Sequence, residues 1–311
     1  MTQHRRSGFM LDIIMRAGSF IAIIVLGFAL KKIGFFKEED FQLLSKITIR
    51  ITLPCAIITS FSGKQIDPEL LILAVFAIVA GLSYMAAGYL INLKNSPDDK
   101  AFAVLNLTGY NIGTFVIPFA QSFLGSLGVI AVSIFDTGNA VMCLGGAFSV
   151  ACMIKDGSGF SVKRILKALG KSVPFITYIS MLTLNLLKLE LPSFILSVAG
   201  IGSNANAFMA MLMIGVGFKL QGKKSQYAVL ARMLLARYGF ATIFALLFYY
   251  MLPFALEVRQ ALVILAFSPI GSAVPGFTNE MKGDVGLSSA LNSMTMVISI
   301  CIIVALLFVM L

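Results

Sequence analysis

Apolar residues along this chain are gathered into long runs, and the charged residues lie mainly in the short segments between them. Ten such runs cover residues 11–30, 43–61, 69–92, 101–124, 127–154, 173–189, 193–218, 228–252, 258–280 and 286–311. Each run is compatible with the ~20 apolar residues that a membrane-spanning helix needs. The pattern predicts an all-α polytopic membrane protein with ten transmembrane helices.

The fourth run carries polar residues and a proline in a stretch that would otherwise cross a membrane as one helix. These residues are Asn106, Thr108, Asn111, Thr114 and Pro118. Proline lacks an amide hydrogen and clashes with the carbonyl four residues earlier, so we expect the helix to break near Val116 to Phe119. Unwound backbone survives in hydrocarbon only where protein or water covers it, so this break is a candidate binding site.

The ninth run repeats the interruption in the second half of the chain. Pro275 lies 157 positions after Pro118 (275 − 118), and Gly283 lies 158 positions after Gly125 (283 − 125). Two ordinary proline kinks would explain each run separately. Matching interruptions in two halves favour a secondary transporter built from repeats, whose site lies where the broken helices meet. We therefore divide the chain into a first five-helix repeat (1–155), a basic cytoplasmic linker (156–172) and a second five-helix repeat (173–311).

Asp136 is the most informative charge in the sequence. It lies inside the apolar fifth run, with Asn139 three positions later. A carboxylate within a membrane is costly enough to suggest a function, here the coupling of transport to a proton or a sodium ion. The alternative is that Asp136 pairs with one of the arginines inside other spans, which are Arg50, Arg232 and Arg237.

The seventh run contains a polar cluster of Ser203, Asn204 and Asn206. Polar side chains are expensive to expose to lipid, so we expect this cluster to face the interior of the helix bundle.

The net charge of +10 is distributed unevenly between the two sides that ten alternating spans define. One side collects fifteen basic residues, which are Lys31, Lys32, Lys37, Lys46, Lys94, Lys100, Lys155, Lys163, Arg164, Lys167, Lys171, Lys219, Lys223, Lys224 and Lys282. The other side collects six, which are Arg5, Arg6, Arg16, Lys64, Lys188 and Arg259. Basic residues mark cytoplasmic loops, so both termini should face outward, and the charge does not indicate a nucleic-acid partner.

Several chemistries are missing from the sequence. His4 is the single histidine, which leaves no histidine pair for catalysis or metal binding. There is no phosphate-binding loop of the G-x-x-x-x-G-K-[ST] type for ATP-driven pumping. The four cysteines have no paired spacing, so they predict neither disulfides nor a zinc site. We do not expect an enzyme.

Four stretches resemble the auxin efflux carrier family, which includes small bacterial carriers and the plant PIN-type auxin exporters. They are LGFALKKIGFFKEEDFQLLSKITIRITLPCAII, YNIGTFVIPFAQSFLG, FDTGNAV and PGFTNEMKGD. The resemblance runs from about Gly18 to Ile300. It implies ten helices in two inverted five-helix repeats, with helices four and nine broken and crossing at Pro118 and Pro275. It also implies transport of small organic anions by alternating access, with Asn111 at the position of the asparagine that contacts substrate in PIN-type carriers.

These observations predict a secondary active carrier for a small organic anion such as a mono- or dicarboxylate. The expected binding residues are Thr108, Asn111, Pro118, Ser203, Asn204, Asn206, Ser272 and Pro275, and the expected ion-coupling residues are Asp136 and Asn139. We expect no cofactor beyond a coupling proton or sodium ion, and no partner beyond the substrate and the lipid bilayer, with a homodimer left open. A passive channel or a membrane receptor for a small ligand is the alternative from another class.

Overall fold

The computed structural model describes residues 3–219 and 226–310, with side chains from residue 14 onward, and this part of the chain is helical without any strand. Lys223 and Lys224 of the basic set lie outside the described residues, as do the side chains of Arg5 and Arg6. The α-helices are α1 Gln3–Lys32, α2 Asp40–Ile47, α3 Leu53–Phe61, α4 Ile72–Leu90, α5 Pro97–Leu107, α6 Ile117–Phe123, α7 Gly125–Val141, α8 Ala147–Asp156, α9 Val162–Leu169, α10 Val173–Leu186, α11 Ser193–Gly217, α12 Tyr227–Met251, α13 Leu256–Ala266, α14 Val274–Glu280 and α15 Val285–Met310. Within the described ranges, three π-helical turns join neighbouring helices at Thr48–Thr52, Ile112–Val116 and Met142–Gly146.

Eight helical stretches in the described part of the chain are long and apolar enough to cross a membrane. A ninth is formed if α9 and α10, which meet at 76°, are counted as one bent span. The predicted ninth span is divided into two short helices, α13 and α14, by a seven-residue interruption (residues 267–273). The structure therefore shows a polytopic helical membrane protein with eight to nine such stretches.

The span that contains the first interruption is the most enclosed. In Pro97–Phe123, 94% of the apolar window is buried inside the protein, against 17% in Ile14–Lys32. Helix α5 has a capped N-terminus, because Ser96 Oγ accepts the Asp99 N–H at 3.2 Å and Pro97 occupies the first turn. The interrupted span therefore lies in the interior of the bundle.

The first break lies earlier in the chain than predicted. Helix α5 ends at Leu107, Thr108 is extended, and Gly109 has a φ of +87°. Helical structure resumes at Ile112, so Pro118 lies inside a helical segment, and the prediction of a break at Val116 to Phe119 is wrong. The reason is the wider π turn at Ile112–Val116, which changes the backbone hydrogen bonding just before the proline. Pro118 then lies in the first turn of α6, where a missing amide hydrogen costs little.

A glycine is required at the first break. The φ of Gly109 lies in the left-handed region that side chains disfavour, and a Cβ there would lie 2.1 Å from Cys143 Sγ. The second break, between α13 and α14, ends next to Pro275, which lies in the first turn of α14. The proline thus predicts the position of the second break well.

Candidate functional site

The two breaks contact each other directly. The backbone N–H of Asn111 donates to the carbonyl oxygen of Pro269 at 3.0 Å, which joins the non-helical segments of the two halves. Helix α15 supports the second segment, because Asn292 Nδ2 donates to the carbonyl oxygens of Ile270 and Gly271 at 3.1 Å. Unwound backbone in the bundle interior is thus satisfied by protein groups, as a membrane environment demands.

Asn139 connects the first break to Asp136. Its Oδ1 accepts the Tyr110 N–H and its Nδ2 donates to the Tyr110 carbonyl oxygen, both at 3.0 Å. The same Nδ2 donates to Asp136 Oδ1 at 2.8 Å. Tyr178 of α10 donates its hydroxyl to the other oxygen, Asp136 Oδ2, at 2.8 Å. The carboxyl group is therefore held by two neutral donors, one of which, Asn139, also bonds to the backbone of the first break at Tyr110.

Within the described residues, none of the arginines considered as partners for Asp136 bonds to it. Arg237 donates to backbone carbonyls of both breaks. Arg232 donates to Asn92 Oδ1 at 2.7 Å, and Arg50 is exposed. Across the described residues, Asp136 forms no ion pair. The alternative in which Asp136 serves as a structural partner of an arginine therefore has no support in this geometry.

Asn111 has an unused donor. Its side chain is 5% exposed, and its Oδ1 accepts the Thr114 hydroxyl at 2.6 Å. Its Nδ2 is buried and has no hydrogen-bond partner. A buried amide N–H₂ without a partner is costly, so this group is available to a ligand that accepts hydrogen bonds.

A cavity of about 160 Å³ adjoins these groups. Its lining includes Asn111, Asp136, Asn139, Tyr178 and Ser272. The cavity thus brings together both predicted ion-coupling residues and two of the predicted binding residues, one from each break.

A second cavity, of about 370 Å³, also adjoins the second break. Ser272 and Ala273 line both cavities, and Pro275 lines the larger one. Glu38 and Lys219 also line the larger cavity and form an ion pair at 2.8 Å. The hydrogen bond from Lys219, together with its charge, lowers the pKa of Glu38, so the small contribution of this exposed pair to stability is lost as the pH falls through that lowered pKa.

Two other predicted binding residues are buried but line neither cavity. Thr108 donates its hydroxyl to the Val104 carbonyl oxygen at 2.6 Å, which caps the end of α5. Pro118 is buried within α6. Both residues belong to the first broken span, but neither borders the two cavities described above.

The polar cluster of the seventh run is divided. Asn206 is fully buried and bonds to Thr52 and Gln121, and Ser203 bonds to Thr59 and Gln121. Asn204 is exposed, so the prediction that the whole cluster faces inward is wrong for this residue, because successive helix positions point about 100° apart. None of the three lines either cavity.

Sequence reasoning missed the roles of Tyr178 and Arg237. Tyr178 has no distinguishing spacing in its apolar run, and only packing brings its hydroxyl to Asp136. Arg237 did carry a signal, because an arginine near the middle of a 25-residue apolar helix is expensive unless it has buried partners.

Two comparisons with known proteins agree with this picture. An uncharacterized transporter of Methanothermobacter thermautotrophicus is 24% identical over 217 residues, which cover 68% of this chain and 69% of the relative. An uncharacterized transporter of Methanocaldococcus jannaschii is 27% identical over 228 residues, which cover 67% and 69%. Residues 13–155 match the model of a family described as membrane transport protein. The resemblance to auxin efflux carriers is confirmed by this match over residues 13–155, where the chain is similar to the membrane transport protein family.

Proposed function

We propose that the protein is a secondary carrier that moves a small organic anion, a mono- or dicarboxylate, by alternating access. In this proposal the ten predicted spans form two inverted five-helix repeats, and the two broken spans cross at the substrate site. The family match supports transport, and the arrangement of the breaks supports a carrier.

One observation carries the proposal. Two non-helical segments from different halves of the chain are joined by the hydrogen bond from Asn111 N to Pro269 O, beside a cavity lined by Asn111, whose buried Nδ2 has no hydrogen-bond partner. Such breaks in enclosed spans are where transporters of repeat architecture bind their substrates.

The donors at the site suit a carboxylate. Asn111 Nδ2 is free to donate, Ser272 contributes a hydroxyl, and the helical segment that begins at Ile112 directs its first amides toward the break. An anion is favoured at a helix N-terminus, where the partial charge is about half a unit.

Asp136 is proposed to carry the coupling proton or sodium ion. It shares the smaller cavity with Asn111, and Asn139 links its carboxyl group to the backbone of the first break. A change in the charge of Asp136 would therefore be felt by the same segment that contacts the substrate.

The two cavities suggest how access alternates. Ser272 and Ala273 line both a space of about 160 Å³ and one of about 370 Å³, so in this proposal a displacement of the second break changes which of the two spaces a ligand occupies. Carriers of this kind move a substrate-binding part against a scaffold around a fixed site.

Counterflow in liposomes tests the proposal. Purified protein is reconstituted with an internal pool of a mono- or dicarboxylate, and uptake of the labelled acid is compared with uptake of its neutral amide. We expect saturable exchange of an acid and little uptake of the amide, because the amide lacks the charge that the helix end stabilises. Equal transport of acid and amide, or single-channel currents in place of exchange, would contradict it.

A further inference from the structure

Arg237 is a buried charge that has no acidic partner among the described residues. It lies on α12 and is 1% exposed. Of the described ion pairs, none includes it. A buried charge must be balanced by hydrogen bonds or dipoles, so the atoms around the guanidinium indicate what this residue does.

Those atoms are backbone carbonyl oxygens of both breaks. Nη1 donates to Leu107 O and Gly109 O, each at 2.8 Å. Nη2 donates to Ser268 O at 2.8 Å and to Pro269 O at 3.4 Å. Nη1 thus donates to carbonyl oxygens at the first break and Nη2 to those at the second, so a single side chain joins the two halves of the chain.

The dipoles at this point favour a cation. Leu107 is the last residue of α5, and Ser268 lies two residues beyond the end of α13, so the carbonyl ends of two half-helices converge there. Helix C-termini carry a partial negative charge. The guanidinium also lies over the rings of Tyr84 and Tyr110, at 4.6 and 4.7 Å from their centroids, where the ring faces attract cations.

Four carbonyl oxygens at a helix end and in the unwound backbone beyond it are also a ligand set for a free alkali cation. We propose that Arg237 is a tethered cation that occupies this carbonyl cage, holds the two breaks together and removes the need for a dissociable ion there. Its charge is then a permanent part of the crossover, bonded to Gly109 O two residues before Asn111, and it helps to attract an anionic substrate. This last consequence rests on the proposed function, whereas the carbonyl cage does not.

Chemical rescue tests the cage without any substrate. Arg237→Gly leaves an opening of the size of the lost side chain, and the thermal midpoint of the purified variant should fall by roughly 5–10 °C. Millimolar guanidinium chloride should recover most of that loss, and equal sodium chloride or urea should recover less. Wild type should show no rise with guanidinium.

Arg232→Gly is the matched control, because it removes an arginine of the same helix that donates to a side-chain oxygen of Asn92. Guanidinium should not raise its midpoint. If guanidinium fails to stabilise Arg237→Gly, or stabilises both glycine variants equally, the proposal that Arg237 occupies a carbonyl cage is wrong.

A second pair of variants keeps the idea testable if Arg237→Gly does not fold. Arg237→Lys retains the charge, and Arg237→Gln retains donors without it. The lysine variant should be the more stable of the two and should bind the carboxylate more tightly. A glutamine variant as stable as the lysine variant would overturn the role of charge. If wild type binds no carboxylate while rescue succeeds, the proposed function fails and the cage stands.

Discussion

The neighbours of Asp136 determine what replacing it does. Its two oxygens accept hydrogen bonds from Asn139 and Tyr178, and the described residues place no cation against it. Removing its charge therefore leaves no buried cation unpaired, and an effect on transport can be separated from an effect on folding.

Asp136→Asn should abolish accumulation driven by a proton or sodium gradient while counterflow exchange persists. The amide has the same shape but one oxygen fewer, so the cost to stability should stay near the ~1 kcal/mol of one hydrogen bond. Accumulation and exchange are measured in the same vesicles. Tyr178→Phe is the control, because it removes one bond to the carboxyl group and keeps the carboxyl itself. Normal accumulation by Asp136→Asn would refute the coupling role.

Asn111→Ala should weaken carboxylate binding about tenfold, since a single hydrogen bond to a charged group is worth ~1.5 kcal/mol or more. Calorimetry on purified protein provides the measurement. Ser197→Ala serves as the comparison, because that hydroxyl is exposed on α11 and bonds only within its helix, to Ser193 O. Unchanged affinity in Asn111→Ala would remove this side chain from the substrate site.

At the scale of helices, close approach depends on small residues. Helices α1 and α11 meet at Gly27 and Gly215. A Cβ on Gly27 would lie 2.5 Å from Leu212 O, and one on Gly215 would lie 2.1 Å from Ile24 O. Helices in membranes often associate through such contacts, because van der Waals packing replaces the hydrophobic effect there.

Gly27→Ala should therefore destabilise the protein by ~1–3 kcal/mol through overpacking. Gly18→Ala on the same helix should be tolerated, since a Cβ there meets no atom within 4 Å. Thermal unfolding of the two variants in detergent distinguishes them. Equal midpoints would show that α1 and α11 do not pack as described.

At the scale of the whole molecule, ion pairs join loops that the sequence places on the same side. Lys155 pairs with Asp98, Arg164 with Glu280, and Lys219 with Glu38. The side that carries these pairs is also the one with more basic residues, which predicts that it is cytoplasmic.

Labelling across one span tests this orientation. Lys64 and Lys94 are both exposed, and the candidate span Pro68–Leu90 lies between them. Single cysteines at these positions, in a background without native cysteines, should react with an impermeant reagent from opposite sides, with position 64 accessible from outside. Labelling of both positions from outside would contradict the ten-span topology, and labelling of only position 94 would reverse it.

The membrane class, most of the spans, the resemblance to a transporter family and the position of the second break could be predicted from the amino-acid sequence alone. These follow from local properties, because a bilayer demands long apolar runs and proline disturbs helices wherever it occurs. The sequence also pointed to Asp136, Asn139, Asn111 and Ser272, which line one cavity. Polar groups in apolar runs are informative for the same energetic reason.

The position of the first break and the contacts that hold it depend on tertiary structure. Gly109 and the π turn outweigh Pro118 because the backbone there bonds to Asn139 and Arg237, which lie in other helices. Tertiary structure also determines that Arg237 donates to the carbonyl oxygens of both breaks, whereas Asp136 accepts hydrogen bonds from neutral donors. Such pairings depend on which helices are neighbours, and no local pattern of apolar and polar residues contains that information.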